Sequence, residues 1–106
     1  MSSNWKILYI KEAKKDLKKL REPILSHVRT AIEKVSQNPL PFTEGGYGKP
    51  LGNKHGSNLT GLFKVKLRGD GIRIVYRLER TEHEMTIVII SVRDDNAVYS
   101  EAAKRI

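Results

Sequence analysis

The chain has 106 residues, the length of one domain, and 39% of them are hydrophobic, which is enough for a folded core. The absence of cysteine excludes disulfides and thiolate metal sites, and no apolar run reaches the ~18 residues that a membrane span needs. Lysine and arginine outnumber the acids by 20 to 12, and the net charge of +8 favours nucleic acid or an acidic protein as partner.

The first half of the chain predicts one strand followed by two helices. Residues Trp5 to Ile10 are short, apolar and aromatic, as in a β-strand. Apolar residues then recur at helical spacing in two stretches, and Pro23 suits the first turn of the second. The apolar positions are Ala13, Leu17 and Leu20 in the first helix, and Ile24, Val28, Ile32 and Val35 in the second. Such a helical hairpin needs a sheet to cover its apolar stripe.

The segment 38–60 predicts a long loop. It holds three of the four prolines and five of the eight glycines, and its apolar residues show no sustained periodicity. Long loops in compact domains are often functional.

The second half predicts three strands and a short helix. Leu62–Leu67 and Ile72–Leu78 alternate between apolar and polar residues on either side of a turn at Gly69–Gly71. Met85–Val92 is nearly continuous apolar sequence, which is typical of a strand buried on both faces. A terminal helix begins at about Asn96. Its apolar positions are Val98, Ala102 and Ile106.

The order of these elements predicts a single α+β domain over residues 1–106. Its parts are an N-terminal strand, a two-helix hairpin, a three-stranded antiparallel meander and a short C-terminal helix. The N-terminal residues lack the apolar core of a signal peptide, so we expect the protein in the cytoplasm.

The outer face of the predicted hairpin collects cations. Side chains alternate across a strand, so the basic residues share one face when the apolar residues face the core. These basic residues are Lys64, Lys66, Arg68, Arg73 and Arg77. Like charges on one sheet face destabilise it, whereas a bound phosphate would relieve their repulsion. We therefore predict a polyanion site on this face.

RNA cleavage at such a face would need a base for the 2′-OH proton and positive charge on the phosphorane. Arginine can stabilise the charge but cannot act as a base. A lysine can act as a base when neutral, and neighbouring cations favour the neutral form, so Lys64 or Lys66 is the candidate. His55, in the glycine-rich loop, is a further candidate. The histidines and carboxylates show no metal-ligand spacing, so we expect neither a metal nor a cofactor.

Three segments resemble the RelE toxins of the RelE/ParE superfamily. They are FKVKLR with GIRIVY at 63–68 and 71–76, VYSEAAKRI at 98–106, and, less specifically, AKKDLKKL at 13–20. The resemblance implies a RelE-like fold and the toxin of a type II toxin–antitoxin system. It also implies a metal-independent endoribonuclease that cuts mRNA in the ribosomal A site by 2′-OH attack and so inhibits translation.

The resemblance also implies residue roles. Lys64 and Lys66 would lie near the attacking hydroxyl, with Lys66 favoured as base. Arg73 and Arg93 would stabilise the phosphorane, and Arg93 or Lys66 would assist the leaving group. Tyr99 would stack on or orient the scissile nucleotide, although it could instead anchor the terminal helix. The segment that carries Arg93 is about two residues shorter than the family pattern and holds two acids.

The lysine-rich first helix is a second basic surface. Lys14, Lys15 and Lys18 form either a solvated helix face or, as the resemblance implies, a contact with ribosomal RNA phosphates. The implied partners are the ribosome, mRNA and a RelB-like antitoxin, which in the RelE pair can displace the C-terminal helix.

Two other functions remain open at the level of sequence. A ParE-like inhibitor of DNA gyrase would share the helical hairpin and the sheet but would lack the nuclease residues. A non-catalytic RNA- or ribosome-binding domain would use the same cations for affinity alone.

Overall fold

The computed structural model describes residues 4–54, 57–92 and 95–106. The strands are β1 (Lys6–Tyr9), β2 (Lys49–Lys54), β3 (Ser57–Leu67), β4 (Ile72–Glu79) and β5 (Glu84–Ser91). The helices are α1 (Lys11–Lys18), α2 (Ile24–Ser36) and α3 (Asp95–Arg105). The strands form one sheet in the order β1-β5-β4-β3-β2, with β1 parallel to β5 and the other neighbours antiparallel. No helix in the described ranges is long and apolar enough to cross a bilayer.

Helices cover both faces of the sheet. α1 and α2 pack on one face, where Val28, Ile32 and Val35 of α2 are buried. α3 packs on the other face through Val98 and Ala102. Between these two layers, β5 is buried along its whole length except at its two ends. The sheet therefore presents one face to the helical hairpin and the other to α3.

The predicted α+β fold is confirmed in most of its elements. The N-terminal strand, the two helices and the antiparallel β3–β4–β5 meander lie where periodicity predicts them. The turn between β3 and β4 depends on Gly71, whose φ of 67° lies in the region that favours glycine. The prediction for Ile106 is wrong, because this residue lies beyond the end of α3 and is 54% exposed.

The predicted loop over 38–60 is also wrong in its second half. β2 and the first residues of β3 lie there, so the antiparallel part of the sheet has four strands. β2 is an edge strand that contains Pro50, and its pairing with β3 shifts register between Pro50 and Gly52. Edge strands tolerate proline and bulges, and such strands lack the clear alternation on which sequence prediction depends.

Asp16 and Arg105 cap the part of β5 that extends beyond β1. The backbone N–H of Ile90 donates to Asp16 Oδ2 at 3.1 Å, and Arg105 Nη1 donates to the Val88 carbonyl at 2.8 Å and to Asp16 Oδ2 at 2.7 Å. Arg105 Nε also donates to Glu101 Oε2 at 3.0 Å. Burial lowers the pKa of Arg105, but its bonds to the two carboxylates outweigh burial and raise that pKa. This clasp joins α3, α1 and the β5 edge.

Candidate functional site

The β3–β4 hairpin brings two lysines and an arginine onto the face that carries α3. The strand register sets Lys66 directly opposite Arg73, and Lys64 opposite the buried Val75. Phe63, the residue before Lys64, packs on the α1–α2 side, so the alternation of the strand sends the lysines to the other side. All three basic side chains are half-buried. An amine and a guanidinium therefore stand side by side on one surface.

Tyr99 lies beneath this surface. It is 1% exposed and belongs to the cluster through which α3 packs on the sheet. Lys64 Nζ lies 5.5 Å from the centre of its ring, a cation–π distance. In this arrangement Tyr99 anchors α3 and supports Lys64. Its ring can stack on a nucleotide only if α3 moves away from the sheet.

The turn between β3 and β4 lies next to these cations. Arg68 is exposed at the start of the turn, and Arg73 Nη1 donates to the Gly71 carbonyl at 3.4 Å. The carboxylate of Asp70 points to α2, where its Oδ2 lies 2.9 Å from His27 Nδ1. The acid of the turn is thus held on the α2 side of the sheet. Lys64, Lys66, Arg68 and Arg73 together are called the hairpin cluster below.

Arg77 shares the strand face but lies apart from the hairpin cluster. It is four residues from Arg73 along β4, or roughly 13 Å at the rise of a β-strand. Arg77 is exposed and borders a separate depression, of about 500 Å³, together with Lys14 and Glu84. The predicted set of five hairpin cations is therefore divided between two places on the sheet.

A family model decides the classification of the chain. The model of the ParE toxin of type II toxin–antitoxin systems, parDE, matches residues 7–99. The chain belongs to the ParE toxin family. The resemblance to the RelE/ParE superfamily is thereby confirmed, and the protein is a toxin of the type II toxin–antitoxin kind.

Two curated relatives match part of the toxin. The mRNA interferase toxin RelE of Escherichia coli (strain K12) is 44% identical over 46 residues, which are 42% of this chain and 46% of RelE. The mRNA interferase RelE of Shigella flexneri is identical to the same extent over the same length. The chain thus matches about half the length of these curated relatives.

Solved structures share the fold over nearly the whole toxin. The toxin–antitoxin complex RelBE2 of Mycobacterium tuberculosis has a TM-score of 0.68 at 25% identity and covers 90% of this chain and 98% of its own. A mutant of the E. coli toxin RelE in the free state has a TM-score of 0.76 at 22% identity. The match covers 98% of this chain and 99% of the RelE chain. The archaeal RelE–RelB complex of Pyrococcus horikoshii has a TM-score of 0.58 at 15% identity. The match covers 84% of this chain and 94% of the matched chain. The predicted RelE-like fold is confirmed.

The second basic surface of the toxin lies on α1. Lys14, Lys15 and Lys18 are exposed, and α1 packs against β1 and β5. In the sheet order, β4 separates β5 from β3. The α1 lysines and the hairpin cluster therefore form distinct surfaces. Two other predicted site residues, Arg93 and His55, lie outside the described residues.

Lys49 is a neighbour of the site that sequence reasoning misses. It is the first residue of β2, it is exposed, and the register sets it directly opposite Lys64. Residues opposite each other in an antiparallel pair project from the same face, so Lys49 extends the basic surface onto a third strand. The missing signal was β2 itself, since without that strand Lys49 has no predicted position.

Proposed function

We propose that this toxin is an endoribonuclease that cuts mRNA on the ribosome, with no metal ion in the chemical step. The observation that carries the proposal is the pairing of Lys66 with Arg73 beside Lys64 on one face of the hairpin. Paired side chains in a sheet have Cβ atoms about 5 Å apart, a spacing that lets both reach one phosphate group. The name mRNA interferase, borne by the two RelE relatives, supports the same activity.

The reaction we propose is an internal transfer at phosphorus. The 2′-oxygen attacks the adjacent phosphorus as Lys66 accepts the 2′-OH proton, and the bond from phosphorus to the 5′-oxygen breaks. Arg73 and Lys64 stabilise the negative charge of the phosphorane. The leaving 5′-oxygen takes back this proton from the ammonium of Lys66, and Arg93 would assist its departure by stabilising the negative charge that develops on it. The products are a 2′,3′-cyclic phosphate and a 5′-hydroxyl.

The partners we propose are the ribosome, its message and a RelB-like antitoxin. The net charge of +8 and the two basic surfaces suit binding to ribosomal RNA phosphates, with the α1 lysines as contacts away from the cleaved bond. The related M. tuberculosis structure, at 25% identity, is a toxin–antitoxin complex, which supports an antitoxin partner here. Tyr99 orients Lys64 while α3 is docked and reaches the nucleotide when α3 is displaced.

The test is to map mRNA ends on programmed ribosomes. Wild-type toxin should cut the codon in the A site at one position and leave a 5′-hydroxyl. Lys66→Ala should slow cleavage at least about 100-fold, the scale of a lost general base, and Arg73→Ala should slow it by a similar factor. Lys6→Ala, at an exposed lysine of β1, is the matched control and should cut at the wild-type rate. An intact message with wild-type toxin would contradict the proposal.

Inhibition of DNA gyrase is the second candidate function, because the family model that matches is the ParE toxin. A gyrase supercoiling assay with the same preparation separates the two activities. ParE-like action would inhibit supercoiling and leave messages intact. A domain that only binds RNA would neither inhibit supercoiling nor cut messages, and its Lys66→Ala variant would lose affinity alone.

A further inference from the structure

A basic groove lies at the sheet edge where β3 extends beyond β2. β2 begins opposite Lys64, so the last three residues of β3 continue past it toward the turn. The groove has a volume of about 350 Å³ and lies between this edge, α2 and the loop that precedes β2. Its floor holds the apolar side chains of Val35, Val65 and Leu67. A cleft of this size and lining accepts a small planar group.

The rim of the groove is entirely cationic in its charge. Of the described residues that line it, five are basic and none is acidic. The basic ones are Lys34, Lys49, Lys64, Lys66 and Arg68. Three of them belong to the hairpin cluster. The apolar floor of the groove lies on the α2 side of the sheet, so the groove adjoins the proposed cleavage site around the end of β3 that extends beyond β2. A polyanionic chain that leaves that site meets this rim next.

Tyr47 supplies an aromatic wall at the mouth of the groove. The residue is 49% exposed, and Lys34 Nζ lies 5.4 Å from the centre of its ring. A base that stacks on this exposed ring would lie beside Lys34 and in the groove that Lys49 also lines, so its phosphate could meet both amines. Aromatic platforms flanked by cations are how proteins bind unpaired nucleotides with little sequence preference.

The loop around Tyr47 is tightly built. The backbone N–H of Tyr47 donates to the Asn38 carbonyl at 2.9 Å, and that of Gly48 donates to the Leu40 carbonyl at 3.0 Å. A Cβ on Gly48 would collide with the hydroxyl of Tyr76, so the loop and the sheet are in close contact at this point. The backbone that carries Tyr47 is therefore held in place before any ligand arrives, which lowers the entropy lost on binding.

We propose that this groove binds one nucleotide of the message beside the scissile phosphate, with its base on Tyr47 and its phosphate between Lys34 and Lys49. The inference rests on the proposed nuclease function and names a substrate subsite for it. An acidic segment of an antitoxin would also suit the charge. The aromatic wall and the adjacency to the hairpin cluster favour RNA.

Binding can be measured apart from cleavage with a fluorescent six-nucleotide RNA that is 2′-O-methylated throughout and cannot be cut. Tyr47→Ala in the full chain should weaken its binding about tenfold, the scale of one lost stacking contact. Tyr47→Phe keeps the ring and should restore affinity to within about twofold of wild type. Phe42→Ala is the matched control, because Phe42 is an exposed aromatic of the same loop that does not line the groove.

A scan of abasic positions tests the stacking contact directly. At one position, an abasic nucleotide should weaken the binding of wild-type toxin by about the same factor as Tyr47→Ala does. The same abasic nucleotide should not weaken the binding of the Tyr47→Ala variant any further. On programmed ribosomes, Tyr47→Ala should raise KM more than it lowers kcat, because the contact binds the message without touching the reacting atoms.

The outcomes separate this inference from the nuclease proposal. If wild-type toxin leaves messages intact but the abasic pattern holds, the nuclease proposal fails and the groove remains an RNA site. If Tyr47→Ala binds the oligonucleotide and cuts messages as wild type does, the subsite is refuted. Weaker binding of the antitoxin alone by Tyr47→Ala would also refute it and would assign the groove to a peptide. Equal thermal melting of the variants shows that the fold is intact in each arm.

Discussion

Tyr76 joins the centre of the sheet to the loop that precedes β2. Its ring is buried and stacks on Phe63 at a centroid distance of 5.4 Å, and its hydroxyl donates to the Pro39 carbonyl at 2.7 Å. Burial raises the pKa of Tyr76 far above its ordinary value, so the hydroxyl stays protonated and remains a donor at neutral pH and well above it. One side chain thus fixes the distance between the sheet and the loop.

Removal of this hydroxyl is predicted to destabilise the fold. Tyr76→Phe leaves the ring packing in place but deprives the Pro39 carbonyl of its donor, which costs about 1–2 kcal/mol in the free energy of unfolding. Urea denaturation measures the change. Tyr47→Phe is the control, because it removes the hydroxyl of an exposed tyrosine and should leave the midpoint unchanged. Equal midpoints for both variants would contradict the assigned bond.

Residue positions along a strand could be predicted where the period of two applies without interruption. Lys64, Lys66 and Arg73 share a face because each lies between two apolar residues whose side chains face the other side of the sheet. The depth of Tyr99 could not be predicted, because it depends on how α3 packs against the sheet. The separation of Arg77 from the hairpin cluster could not be predicted either, because alternation shows which face a residue takes but not how far along the strand it lies.

Among the elements, α3 depends on tertiary contacts for its order. It has 11 residues, and isolated helices of this length are marginal in water. Besides its apolar contacts, the clasp made by Arg105 with Asp16, Glu101 and Val88 ties its last turn to α1 and β5. The Arg105 side chain is 12% exposed and that of Asp16 13%, so the ion pair is partly shielded from water.

Loss of the clasp is predicted to loosen α3. Arg105→Met keeps the aliphatic stem but leaves Asp16 without its cation, which is expected to cost about 2–4 kcal/mol in the free energy of unfolding. Amide hydrogen exchange should rise in α3 and at Ile90, whose N–H is bonded to Asp16. Lys104→Met, at the exposed neighbouring position, is the control. Unchanged exchange in α3 for Arg105→Met would show that apolar packing alone holds the helix.

The elements differ in how far the sequence predicts them. α1, α2, β4 and the second half of β3 carry an apolar period that matches their structure, and β5 carries a continuous apolar run. The existence of these elements therefore follows from pattern alone. β2 carries Pro50, Gly52 and a register shift, and it forms because β3 offers it an edge to pair with. Such a strand exists through a long-range partner, which local propensity does not encode. For the same reason, the sequence did not predict that Lys49 lies beside Lys64.

At the scale of the whole molecule, the excess of positive charge is divided between two surfaces. The hairpin cluster lies on β3, β4 and their turn, and Lys14, Lys15 and Lys18 lie on α1 beside β1 and β5. Both surfaces would add to the attraction of a large RNA assembly, whose phosphates release counterions when cations replace them. A short oligonucleotide, by contrast, can occupy only one surface at a time.

The salt dependence of binding is predicted to distinguish the two surfaces. For single strands, the logarithm of affinity falls with the logarithm of salt concentration by about 0.7 per phosphate contact. The double variant Lys66→Ala with Arg73→Ala should therefore reduce this slope by about 1.4 for the 2′-O-methyl oligonucleotide. The triple variant with Lys14, Lys15 and Lys18 changed to glutamine should keep the wild-type slope for the oligonucleotide but bind ribosomes more weakly. An equal loss of oligonucleotide slope in both variants would mean that RNA binds without regard to the surface, and the separation into a cleavage face and a ribosome face would fail.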